Sequence, residues 1–285
     1  MTSAVGADLR TDELTGTRTY VVDSRQTRPN LPPVGCPFCP GGLEAPDPYE
    51  VRWFPNRWPA LPDGRCEVLL YAPDHDATFW SLGPAGARRV VDLWADRSAA
   101  LGARADVAYV LPFENRGPEV GATIEHPHGQ IYAFDFVPDG PLNELERGDP
   151  LARPDGPLVA AHGGWRAWVP AAAGYPYALR LAPEERVPDL PWLDDTGRDD
   201  LAALLVDVLE RLDLVFAART PYMLWVHQRP FDGGDWPQAR MHVEVVSPWR
   251  APHVPRYVAA GELGSGVLFN PVAPDAAAEA LRAAK

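Results

Sequence analysis

Long apolar runs, cysteine and positive charge are all scarce in this 285-residue chain. No stretch approaches the roughly 18 apolar residues of a membrane span, so no membrane partner is expected. Met1 to Asp12 lacks the basic and then apolar pattern of a secretion signal, which leads to the expectation of a cytoplasmic protein. Three cysteines exclude a disulfide framework: Cys36 and Cys39 form a C-x-x-C pair and Cys66 stands alone. In a chain without a signal sequence that pair points to metal binding or redox chemistry. Cys66 fits no pattern and reads as a buried free thiol. The formal net charge of −13 excludes a broad surface for a nucleic-acid polymer or an anionic membrane. A single phosphorylated metabolite remains admissible, provided that local arginines overcome the global field.

Apolar residues, at 46%, suffice for a substantial core, in one large domain or two of ordinary size. The 33 prolines are about twice the usual share, so short elements joined by stiff loops are expected. A faint internal repeat organises the chain. Val68-Leu69-Leu70-Tyr71 runs into Ala72-Pro73-Asp74-His75, and Ala178-Leu179-Arg180-Leu181 runs into Ala182-Pro183-Glu184-Glu185. Each apolar run predicts a strand ended by its proline. An amphipathic helix follows each, Ala85 to Leu101 and Asp199 to Phe216. Strands follow at Val107–Phe113 and Tyr222–His227, then at Gly129–Phe136 and Met241–Val246. Upstream, Trp53-Phe54-Pro55 and Trp168-Val169-Pro170 match loosely. The fold class expected is α+β, with antiparallel strands in both halves and helices packed on them. The boundary falls in the Pro/Gly-rich stretch from Val137 to Gly164, giving halves 1–150 and 151–285.

The chemistry concentrates in His126-Pro127-His128-Gly129-Gln130. In extended backbone, two histidines one residue apart point the same way. Pro127 biases His126 towards that geometry. Gly129 reads as a position where a ligand approaches the backbone, and Gln130 as a neutral donor on the side of His128. The set suits a nucleophilic imidazole with a donor for a phosphoryl oxygen. Its attacking nitrogen must be unprotonated, so the other must keep its proton, for which the His126 carbonyl is the expected acceptor.

Together with Phe113-Glu114-Asn115-Arg116-Gly117 upstream, this segment resembles the active-site region of galactose-1-phosphate uridylyltransferases, of the wider histidine-triad superfamily. The resemblance spans nearly the whole chain. Leu14-Thr15-Gly16 and Ser24-Arg25-Gln26-Thr27-Arg28-Pro29 look like the family's N-terminal segment. Cys36-x-x-Cys39 looks like its zinc motif, Phe54-Pro55-Asn56-Arg57 like its base-binding strand, and Pro73-Asp74-His75 like its Pro-Asp-His. The resemblance implies two tandem histidine-triad-like halves, the first with zinc and nucleophile and the second degenerate. It makes His128 the nucleophile and Gln130 its catalytic partner. Arg25, Arg28 and Thr123 would hold phosphates, Asn56 and Asn115 the substrate, and Cys36, Cys39, His75 and His126 a structural zinc. The implied reaction is uridylyl transfer between sugar 1-phosphates in galactose metabolism, by a ping-pong route through uridylyl-histidine. The substrates are a nucleotide sugar and a sugar 1-phosphate, and the family implies a homodimer.

Some members carry a second metal, iron or zinc. Here Glu144 and His227 match its first two positions, while the His-x-His becomes His242-Val243-Glu244, or Arg240-x-His242 in a register shifted by two. Arg57 stands where some relatives place an aspartate beside base and ribose. Glu262 matches the contact to sugar hydroxyls, whereas the family's glutamine falls near the apolar Leu268. His162 and His253 carry no pattern. Three other readings share these residues. One is a nucleotide-sugar phosphorylase or adenylyltransferase of the same superfamily. The others are a non-catalytic zinc- and nucleotide-binding protein, and a redox protein using Cys36 and Cys39.

Overall fold

The structure, a computed structural model, describes residues 7–27 and 35–285. Arg28 lies outside the described residues. A hairpin of β1 (Ala7–Thr11) and β2 (Arg18–Val22) precedes β3 (Arg52–Pro55), β4 (Cys66–Leu70), helix α1 (Gly83–Gly102), β5 (Tyr109–Arg116) and β6 (His128–Phe134). Next come α2 (Asp139–Glu146), β7 (Leu158–His162), β8 (Trp165–Trp168), β9 (Leu179–Pro183), α3 (Asp195–Phe216), β10 (Tyr222–His227) and β11 (His242–Val246). A ribbon of β12 (Trp249–Ala251) and β13 (Val254–Pro255) leads to α4 (Ala260–Ser265) and α5 (Pro274–Ala283). No helix among the described residues is long and apolar enough to cross a membrane.

Nine strands form one antiparallel sheet in the order β3-β4-β6-β5-β10-β11-β9-β8-β7. The order is nearly a mirror. In each half two strands, a helix and two strands take the same neighbours, β3-β4-β6-β5 on one side and β8-β9-β11-β10 on the other. The halves meet where β5 pairs with β10, Asn115 opposite Met223 and Arg116 opposite Tyr222. The α+β class expected from the sequence is the class observed.

Two-residue alternation assigns the sheet's faces. Leu69 of β4, Ile131 and Ala133 of β6 and Leu224 and Val226 of β10 enter the main core. That core lies beneath α1 and α3, which pack on each other and on the sheet. Helix α3 buries Leu201, Leu204, Leu205, Val208, Leu209 and Leu212, the stripe its period requires. Each such leucine contributes about 1.5–3 kcal/mol on burial. Helix α3 starts at Asp195, ahead of the Asp199 expected, because the Asp194 carboxylate caps it by accepting from the Gly197 amide at 2.7 Å. The Val137–Gly164 stretch contains α2 and all of β7.

The opposite face carries a smaller cluster, in which Val68 and Leu70 of β4 pack with Phe38 and Ala45. The turn bearing Cys36 and Cys39 therefore lies on the face away from the helices. His128 and Gln130 of β6 project from that same face.

Candidate active site

His128 opens β6, and its Nδ1 lies 2.7 Å from the His126 carbonyl. A carbonyl only accepts, so Nδ1 carries the proton and Nε2 keeps its lone pair. The ring packs edge-on to Phe38, with centroids 5.1 Å apart. Two residues along the strand, Gln130 Oε1 accepts from Asn56 Nδ2 at 3.1 Å. That bond orients the amide and leaves the Gln130 NH2 group as a donor on the same face of the strand as His128.

Gly129 corrects the sequence reading. Its missing side chain faces the core rather than a ligand: a Cβ there would lie 2.0 Å from Tyr71 Oη and 3.0 Å from the Phe113 carbonyl. The glycine admits Tyr71, which is 2% exposed, beneath the strand.

His128 and Gln130 border a cavity of about 400 Å³. Phe113 and Asn115 of β5 line it from the same face, with Phe54, Asn56 and Trp58 at the other side. The loop carrying Thr123 closes one wall and Arg25 reaches another. Arg25, Asn56, Asn115 and Thr123 are thus brought together with His128 and Gln130. The cavity suits an elongated molecule with a flat apolar portion and an anionic centre near His128.

The Cys36, Cys39, His75 and His126 donor atoms lie within 4.8 Å of one another. Cys39 Sγ is 3.6 Å from Nδ1 of both His75 and His126. A tetrahedral zinc with ordinary Zn–S and Zn–N bonds separates sulfur from nitrogen by about 3.6 Å, so the set fits a structural metal. His126 is buried, which holds its imidazole below its ordinary pKa and neutral as a ligand must be. Its Nε2 is 2.8 Å from the Ala72 carbonyl, which fixes that nitrogen as the protonated one and turns Nδ1 to the metal position. Tyr49 Oη also stands 2.8 Å from Nε2, 2.7 Å from the Phe38 carbonyl and 2.8 Å from the Ala72 carbonyl, and gives its single proton to one of those carbonyls. No spacing rule marks Tyr49 in the sequence. Cys66 takes no part; its thiol is buried and accepts from the Leu61 amide at 3.2 Å.

The second half repeats the local geometry with different chemistry. His242 opens β11 as His128 opens β6, and its Nδ1 is 3.3 Å from the carbonyl two residues earlier. Burial holds its pKa down to about 4, so the ring is neutral. Glu144 Oε2 is 2.8 Å from His227 Nδ1 and 3.5 Å from His242 Nε2, a three-donor cluster bordering a cavity of about 220 Å³. Glu244, also named from the sequence, borders that cluster without joining it: its Oε1 is 3.9 Å from His242 Nε2 and accepts from Arg180 Nε at 2.5 Å. Three mixed oxygen and nitrogen donors within 4.8 Å of one another form a set that could hold a metal ion.

Glu262 lies away from the cavity around His128 in this chain. It is 6% exposed and accepts from the Phe269 amide at 2.8 Å, the Ala259 amide at 3.0 Å and Arg256. Those bonds take three of the roughly four acceptor positions of the carboxylate.

Comparison with known proteins places this geometry. The family model for the N-terminal domain of galactose-1-phosphate uridyl transferase matches residues 57–138. The galactose-1-phosphate uridylyltransferase of Streptomyces lividans is 34% identical over 97% of this chain and 86% of its own length. That of Thermotoga maritima is 32% identical over 96% and 98%. A solved uridylyltransferase structure superposes with a TM-score of 0.89 at 27% identity, covering 97% of this chain and 98% of that one.

Proposed function

Because the chain belongs to the galactose-1-phosphate uridylyltransferase family, we propose that it transfers a uridylyl group between hexose 1-phosphates through a covalent intermediate on His128. The observation that carries this reading is the 2.7 Å contact between His128 Nδ1 and the His126 carbonyl, which leaves Nε2 unprotonated beside the Gln130 amide. In the first step Nε2 attacks the α-phosphorus of a UDP-hexose. The Nε2–P bond forms, the bond from phosphorus to the bridging oxygen breaks, and hexose 1-phosphate leaves with that oxygen. The ring becomes a cation with its Nδ1 proton retained. In the second step an oxygen of another hexose 1-phosphate attacks phosphorus and the Nε2–P bond breaks, restoring neutral imidazole. No proton is gained or lost, because both sugar phosphates are ionised at neutral pH.

His126 contributes twice, its carbonyl fixing the tautomer of His128 and its ring held by the metal set. The metal, when bound, supplies rigidity to that turn rather than a reacting group, since four protein donors fill a tetrahedral ion. The amide of Gln130 stabilises charge on the phosphoryl oxygens, with Arg25 and Thr123 at the cavity wall for the phosphates and Asn56 and Asn115 for the remainder. The halves 1–150 and 151–285 divide this work, the first holding nucleophile and metal and the second supporting the sheet.

UDP-glucose alone is expected to add one uridylyl mass to the protein, and galactose 1-phosphate to remove it. Initial rates should give parallel double-reciprocal lines, and His128→Ala should abolish labelling. A folded His128→Ala protein with normal turnover refutes the mechanism.

A further inference from the structure

The turn that holds the metal donors continues into the wall of the substrate cavity and delivers Glu44 there, beside Arg57 at the exit of β3. Glu44 Oε1 and Arg57 Nε stand 3.0 Å apart, with the carboxylate 19% and the guanidinium 51% exposed. Neither group makes a directed hydrogen bond to any described residue. Beyond that contact, the outer guanidinium N–H groups and the second carboxylate oxygen lie side by side on a cavity wall, where a ligand can meet them. Some other ion pairs are fully engaged. Arg97, for example, spends two N–H groups on Glu67 at 2.8 and 2.7 Å.

Their place in the cavity indicates what they meet. From His128 the wall runs two residues along β6, about 7 Å, to Gln130. It crosses at 3.1 Å to Asn56, whose Oδ1 accepts from the Trp58 amide at 2.8 Å. Arg57 lies between Asn56 and Trp58, at the end away from the nucleophile. Phe54 and the 37%-exposed Trp58 supply flat apolar surface there. A nucleotide with its α-phosphorus at His128 projects its planar base to that end. Each base sets its hydrogen-bond donors and acceptors in an order of its own, and a carboxylate beside a guanidinium matches only an edge that offers an N–H and an acceptor in the corresponding order.

Resting on the nucleotidyl-transfer reading above, we propose that Glu44 and Arg57 together read the nucleobase edge and set which nucleoside diphosphate sugar this chain accepts. Glu44 accepts from the base's N–H and Arg57 donates to the neighbouring oxygen or nitrogen. A base with the wrong pattern leaves one of the two facing a like group, so it is rejected rather than merely unassisted.

The test is a panel of UDP-, GDP-, ADP- and CDP-glucose, with the labelling rate of His128 followed by intact mass. The wild-type protein is expected to prefer one base. Glu44→Gln and Arg57→Gln should each reduce that preference about 10- to 100-fold, the worth of one paired base contact, while retaining metal. Arg57→Lys, which keeps charge but loses the fork, should behave as Arg57→Gln does. The exchanged pair, Glu44→Arg with Arg57→Glu, separates reading from a latch between turn and strand. It should recover the melting temperature of the wild type without recovering its preference. Equal labelling by all four sugars, single variants that keep the wild-type ratio, or recovery of preference by the exchanged pair overturns the proposal. Labelling by none of the four overturns the nucleotidyl-transfer reading itself, and this proposal with it.

Discussion

Gly129→Ala separates two explanations of the same residue. If the glycine served close approach of a ligand, a methyl group would raise KM and leave stability alone. The structure requires the reverse. The new carbon would lie 2.0 Å from Tyr71 Oη and 2.9 Å from Cζ, where ordinary contact begins at 3.4 Å. Tyr71 cannot swing aside, because Phe79 and Trp94 hold its ring edge-on at 5.7 and 6.1 Å. Moving it would also remove the acceptor of the Trp94 indole N–H, 3.3 Å away. Overpacking costs about 1–3 kcal/mol and an orphaned buried donor about 1–3 kcal/mol, so a loss of about 2–6 kcal/mol is expected in urea unfolding. The strain sits next to His128, and an ångström of misplacement slows labelling by about 10²-fold. Tyr71→Phe deletes the offending oxygen. The double variant should therefore be more stable than the sum of the singles by about 1–2 kcal/mol. Additivity within about 0.5 kcal/mol, or a single variant of wild-type stability with raised KM, would refute the packing argument.

Metal analysis of protein purified without added zinc should show about one zinc per chain, and His75→Ala should lose both the metal and part of the folding free energy; full stability in a metal-free preparation contradicts this. His227→Ala should lower the melting temperature more than the turnover, since His227 borders a cavity other than the one that His128 lines; a folded variant as inactive as His128→Ala would overturn that division. Burial pushes Glu114 up to about 7, only partly offset by the Tyr222 hydroxyl that donates to it at 2.7 Å and by the Arg116 charge. The folded state thus binds a proton that the unfolded state releases near pH 4.5, so this group's contribution is present at acid pH and lost as pH rises through about 7. Glu114→Gln should remove that slope and gain about 3 kcal/mol over the wild type at pH 8, on the order set by the shift; a difference between the two proteins that is flat from pH 5 to 8 would show that the carboxyl is not held neutral.

Local chemistry was legible wherever the answer depended on residues adjacent in the chain. An extended His-Pro-His puts two rings on one side and hands the first carbonyl to the second ring, whatever the fold around it. The C-x-x-C pair and helical periodicity are likewise properties of short segments, and the strand and helix patterns together gave the α+β class. The helix start at Asp195 needed only its Asp194 cap, which the sequence also contains but an apolar stripe does not reveal. Other features depend on pairings between distant residues, and these only the tertiary structure decided. Tyr71 lies beneath Gly129 because β4 pairs with β6 in the register that sets Leu70 opposite His128. Glu44 meets Arg57 because the metal turn folds against β3, and Arg180 takes Glu244 because β9 neighbours β11. Strand periodicity says which face a side chain takes, but sheet order and register say whom it meets there.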